Sequence, residues 1–116
     1  MKKVLLVEDD QYFRDMLLPL LQQKGYLVDA AEDGVLALKK LQNESYHVII
    51  LDRNLPEVRG EEILNLIKMQ KHSPKVIIIT GEGEAETRKE MLFQGADAYL
   101  EKPFEVKKLI KLIEKD

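Results

Sequence analysis

Five short apolar runs recur along the chain: VLLV at 4 to 7, LVDAA at 27 to 31, YHVIIL at 46 to 51, KVIIIT at 75 to 80 and AYL at 98 to 100. They are continuous rather than alternating, the pattern of strands covered on both faces. Between them the apolar spacing changes to that of helices. Residues 11 to 24 place Phe13, Met16, Leu17, Leu20 and Leu21 on one face, and residues 34 to 44 place Ala37, Leu38 and Leu41. Residues 61 to 71 follow with Ile63, Leu66 and Ile67, and residues 105 to 115 with Val106, Leu109, Ile110 and Ile113. In the segment 84 to 94 the apolar residues Met91, Leu92 and Phe93 crowd into the last turn, which predicts a weakly anchored helix.

The punctuation agrees with this reading. Asp10 and Asp33 stand where N-caps belong, and Gly25 and Gly95 where helices end. Pro19 removes one helical hydrogen bond and predicts a bend near Asp15. Strand and helix alternating five times predict an α/β fold, with a parallel sheet, right-handed crossovers and helices on both faces.

Length and composition narrow the function. The chain has 116 residues, 45% of them hydrophobic and 34% charged, which suits one domain, residues 1–116, with one core and one site. Eighteen basic against 21 acidic residues leave a net charge of -3, so no direct nucleic-acid surface is expected. Cysteine is absent, which excludes disulfides and thiolate metal sites. The apolar run after MKK is too short for a signal peptide and no stretch reaches membrane-span length, so a cytoplasmic protein without membrane contact is expected.

Ligands of an open parallel sheet bind beyond the carboxyl ends of the strands. Those ends deliver Glu8, Asp9 and Asp10 after the first run, Asp52 after the third, Thr80 after the fourth and Lys102 after the fifth. Clustered carboxylates repel, so a proton or a cation must sit among them. With oxygen ligands and no His or Cys in the cluster, Mg2+ is favoured over zinc, and it keeps waters that phosphate oxygens can replace. Lys102 and Thr80 suit a phosphoryl group, and an aspartate beside Mg2+ can itself be the nucleophile that forms an aspartyl-phosphate. Taken alone each piece reads more blandly: EDD as a solvated helix start, Lys102 as a turn residue, Thr80 as a strand residue. His47 and His72 lie away from this edge and read as structural or exposed.

Together LLVEDD, LDRNLPEVRG, IIIT and YLEKPF stand in the order and near the spacing of one family: over essentially its full length the chain resembles the receiver domain of two-component response regulators, chemotaxis regulators included. The resemblance implies a flavodoxin-like, doubly wound five-stranded sheet of order 2-1-3-4-5 with five helices. It implies that Asp52 accepts a phosphoryl group from a histidine kinase or phosphotransfer protein, and that Glu8, Asp9, Asp52 and the backbone carbonyl of Asn54 hold Mg2+. It further implies Lys102 as the family's lysine, Thr80 as the switch hydroxyl, Tyr99 as the switching aromatic, and a cis Lys102–Pro103 peptide. The domain would be a switch that catalyses only its own phosphorylation and dephosphorylation, acting on an output partner or domain; whether a homodimer forms on phosphorylation stays open. The chain departs from common members at Glu8, Leu55 and Gly81, and it carries Arg53 beside the acceptor. Asn54 and Glu82, at the family's variable positions, resemble chemotaxis-type receivers and imply a short-lived phosphoryl group.

Three alternatives compete. A Mg2+-dependent aspartyl-phosphate phosphatase usually needs a second acid two positions after its nucleophile, where this chain has Asn54. A flavin or nucleotide binder needs a phosphate loop, where EDDQ would repel phosphate. A degenerate receiver would act as a constitutive interaction module.

Overall fold

The structure is a computed structural model that describes residues 2–70, 73–81 and 94–115. The strands are β1 (Lys3–Val7), β2 (Leu27–Ala31), β3 (Val48–Asp52), β4 (Lys75–Thr80) and β5 (Ala98–Glu101). Among the described residues the helices are α1 (Gln11–Gln23), α2 (Gly34–Asn43), α3 (Gly60–Lys68) and α4 (Val106–Glu114). The predicted helix over 84 to 94, together with Glu82 and His72, lies outside the described residues apart from Gln94.

All five strands are parallel and ordered β2-β1-β3-β4-β5, as the resemblance implied. Within the central strands, parity decides which face each residue serves. Leu5, Val7, Ile49, Leu51, Val76 and Ile78 pack with Ala37 of α2 and with Ile63, Leu64 and Ile67 of α3. Val4, Leu6, Val48, Ile50, Ile77 and Ile79 pack on the opposite face with Leu17 and Leu21 of α1 and Leu109 and Ile113 of α4. Between their polar ends the central strands are continuously apolar, because both of their faces are covered.

The helix starts follow their caps. Asp10 accepts from the backbone N–H of Tyr12 and Phe13, and Asp33 from that of Leu36. Gly25 and Gly95 take left-handed backbone at φ 95° and 109°, which only glycine adopts without cost. The helix α1 runs from Gln11 to Gln23 with Pro19 inside it.

Three details differ from the sequence reading. Leu66 is 46% exposed while Leu64 is fully buried, because Leu64 and Ile67 lie to one side of Ile63 on the helix and Leu66 to the other. On α1 the buried line is Leu17 and Leu21, leaving Met16 and Leu20 on its solvent flank. The third strand starts at Val48 rather than Tyr46, whose hydroxyl donates instead to Asp29 of β2 at 2.7 Å.

Candidate functional site at the strand ends

Register assembles the site. Val7 pairs with Leu51, so Glu8 arrives level with Asp52; Asp52 pairs with Ile79, so Thr80 stands one residue beyond; Thr80 pairs with Glu101, so Lys102 follows at the same edge. The ladder runs on past the strands through Glu8 N–H to Ala31 O at 3.0 Å, Arg53 N–H to Ile79 O at 2.8 Å and Lys102 N–H to Thr80 O at 2.7 Å. The backbone that carries these side chains is therefore hydrogen-bonded on both sides of the acidic pair.

The three consecutive acids end in three environments. Glu8 is fully buried, Asp9 is exposed, and Asp10 caps α1. Asp52, only 4% exposed, accepts from the Asn54 N–H at 2.9 Å through Oδ1. Lys102 Nζ lies 2.5 Å from Glu8 Oε1 and 3.2 Å from Asp52 Oδ2, bridging the two buried carboxylates. One oxygen from each of Glu8, Asp9 and Asp52 lies within 4.8 Å of the others, the single such acidic or histidine group among the described residues.

Two buried carboxylates around one ammonium leave an excess negative charge. Burial pushes the Glu8 carboxyl up to about 8, the Asp52 hydrogen bond adds to the rise, and Lys102 opposes it. Burial works against the Lys102 ammonium, but its bonds to Glu8 and Asp52 outweigh that and hold its pKa above the ordinary value. The pocket is thus satisfied by a proton on Glu8 or by a second cation beside it.

An open cleft of about 410 Å3 adjoins the acids, lined by Asp9, Arg53, Asn54, Leu55, Pro56, Arg59 and Glu61. Its wall depends on Gly60: a Cβ there would lie 2.9 Å from Asp52 O and 2.9 Å from Arg53 Cα. The loop from β3 reaches Gly60 with Glu57 at φ 65°, left-handed backbone uncommon for a residue with a side chain.

The structure brings Glu8, Asp9, Asp52, Asn54 and Lys102 together. Thr80 is fully buried at the end of β4, and Tyr99 is half-buried in β5 opposite Ile78. The Lys102–Pro103 peptide is cis. His47 is exposed and its Nδ1 accepts from the Lys3 N–H at 2.9 Å, away from the site.

Sequence reasoning missed three supporting residues. Arg14 reaches back from α1 to donate to Glu8 O at 2.6 Å, Gly60 packs on the Asp52 carbonyl, and Phe13 places its ring 4.2 Å from Lys102 Nζ. The signal for Arg14 was a cation one turn into a helix that follows an acidic strand end. Phe13 carried no such signal, since its spacing reads as core.

A family model described as the response regulator receiver domain matches residues 4–114. The chain belongs to the response regulator receiver domain family. This receiver domain is 41% identical over 113 residues to the transcriptional regulatory protein CpxR homolog of Haemophilus influenzae, covering 97% of this chain and 49% of that protein. The chain spans about half the length of the curated relatives it matches first. The Vibrio cholerae chemotaxis protein CheY4 superposes with a TM-score of 0.89 at 37% identity, covering 96% of this chain and 94% of that one. The receiver domain of the Pseudomonas aeruginosa sensor histidine kinase PA1611, described with a magnesium ion coordinated in its active site cleft, superposes with a TM-score of 0.87 at 27% identity, covering 97% and 93%. The receiver identification, the flavodoxin-like architecture and the likeness to chemotaxis regulators all stand. The expectation of no direct nucleic-acid contact finds no support among relatives named as transcriptional regulators. Among the described residues no helix is long and apolar enough to cross a membrane.

Proposed function

We propose that this receiver domain takes a phosphoryl group onto Asp52 from a histidine kinase or phosphotransfer protein, with Mg2+ bound, and changes conformation to control an output partner. The observation that carries this reading is the buried Glu8–Lys102–Asp52 arrangement, closed by strand register around one ammonium and open on the Asp9 side. A stiff, hydrogen-bonded strand end holds the Asp52 carboxylate still while the site's open side, at Asp9, admits a phosphodonor.

The donor set fits Mg2+, being oxygen from Glu8, Asp9 and Asp52 with no softer ligand in the group, and the Asn54 carbonyl is proposed as a further ligand. When bound, the ion neutralises charge on the phosphoryl oxygens. Asp52 supplies the attacking oxygen: a P–O bond forms as the donor's P–N bond breaks, and the leaving nitrogen keeps the electron pair and a proton. Lys102, already between the carboxylates, follows the new negative charge, and the buried Thr80 hydroxyl and Tyr99 carry the change along β4 and β5. The short phosphoryl lifetime suggested by Asn54 and Glu82 belongs to the same proposal. An output acting on transcription is proposed by analogy with the relatives, which are about twice as long as this chain.

The test is intact-mass spectrometry after incubation with phosphoramidate, with and without Mg2+, on the native chain and Asp52→Asn. One phosphoryl adduct that needs both Mg2+ and Asp52 is expected. A folded, Mg2+-binding chain that takes no adduct would make it a constitutive interaction module instead.

A further inference from the structure

The Lys102 ammonium has three N–H donors, and two of them reach Glu8 Oε1 and Asp52 Oδ2. On its remaining side lies the Phe13 ring of α1, with Nζ 4.2 Å from the ring centroid. An aromatic face attracts a cation more strongly the less water surrounds it, and here the Lys102 side chain is 23% exposed and its two carboxylate partners are buried. The ring is itself braced. Phe104, two residues after Lys102, meets Phe13 at 5.9 Å between centroids with planes at 69°, an edge-to-face contact. The Phe13 N–H is tied to the Asp10 cap at 3.3 Å, which fixes the first turn of α1 beside the acids.

We infer that Phe13 is a positioning residue for phosphoryl transfer: its ring face holds the Lys102 ammonium at the acidic site and presents it to the incoming phosphoryl group. The inference rests on the proposed acceptor role of Asp52. Carboxylates alone would pin the lysine by strong directional bonds, whereas a π-face holds a cation without fixing its hydrogens. Lys102 can then exchange a carboxylate oxygen for a phosphoryl oxygen without leaving the pocket. A residue that only filled the edge of the α1/α4 core would be replaceable by leucine.

The test compares native chain, Phe13→Leu, Phe13→Tyr and Phe104→Leu at saturating Mg2+, following phosphoramidate adduct by intact mass against donor concentration. Loss of the aromatic face is expected to lower the saturated rate of Phe13→Leu about 3- to 10-fold, with Tyr restoring it to within about twofold and the donor concentration at half-rate unmoved. Phe104→Leu should fall between. In carbon-proton spectra, the Lys102 Hε signals, assigned by their loss in Lys102→Arg, should be ring-shifted upfield in the native chain and return to the common lysine position in Phe13→Leu. Wild-type rates in Phe13→Leu, or unshifted Lys102 Hε signals in the native chain, overturn the inference. The ring shift needs no phosphoryl transfer, so it decides the contact even where a native chain that takes no adduct has overturned the acceptor role.

Discussion

Replacing Gly60 by alanine tests whether the loop after Asp52, the proposed acceptor, is held by backbone contact alone. The new Cβ would lie 2.9 Å from Asp52 O, 2.9 Å from Arg53 Cα and 3.3 Å from Arg53 O. Ordinary contact begins near 3.4 Å, so α3 and the end of β3 must part by about 0.5 Å. Both closest atoms are backbone, and no side-chain rotation can absorb the shift. Overpacking of this kind costs about 1–3 kcal/mol, and a Gly to Ala change in a helix returns up to about 1 kcal/mol, less at a first helical residue. A net loss of about 1–2 kcal/mol is expected, or roughly 5 °C in Tm per kcal/mol for a domain of this size. The same shift moves Asn54 relative to Asp52, whose 2.9 Å bond orients the proposed acceptor, and a displacement of that size should slow the proposed phosphorylation about tenfold. The assay pairs thermal unfolding with the phosphoramidate mass time course. Gly81→Ala serves as the control, since among the described residues nothing lies within 4 Å of its added Cβ. Unchanged stability and rate in Gly60→Ala would refute the claim that this contact sets the geometry of the acceptor.

Asp10→Ala removes the acceptor for the Tyr12 and Phe13 N–H groups and should cost about 1 kcal/mol in denaturant unfolding; a change below about 0.3 kcal/mol would show that the cap is idle. Leu64→Ala should destabilise by about 2–5 kcal/mol and Leu66→Ala by under about 1 kcal/mol, and the reverse order would contradict the helix face assigned here. Glu8 titrates near 4.5 unfolded and is raised to about 8 in the fold, so its contribution is fully present below about pH 4.5 and is lost as pH rises through 8. The metal-free domain should therefore weaken over that window more than Glu8→Gln does. If Glu8 holds Mg2+ as proposed, the ion competes with the Glu8 proton, and its stabilising shift in Tm should be larger at pH 8 than at pH 6; equal shifts would exclude Glu8 from the ion's site.

The sequence by itself determined what local chemistry decides. Continuous runs such as VIIL and KVIII suit strands buried on both faces, and the Asp10 and Asp33 caps and Gly25 announced the helix ends because each satisfies a local backbone need. The residue types at the strand ends were legible too, since a carboxylate closing a buried strand calls for a partner. Tertiary structure alone decided how they meet. Register, a long-range pairing of Val7 with Leu51 and Thr80 with Glu101, sets Glu8, Asp52 and Lys102 within hydrogen-bond reach across 94 residues of chain. Nothing local assigns Glu8 to the interior and its neighbour Asp9 to solvent. The choice of Leu64 over Leu66, the Gly60 contact on Asp52 and the Phe13 ring over Lys102 likewise depend on which surface faces which. A hydrophobic period marks a face of a helix, but only the packed partner says what that face is for.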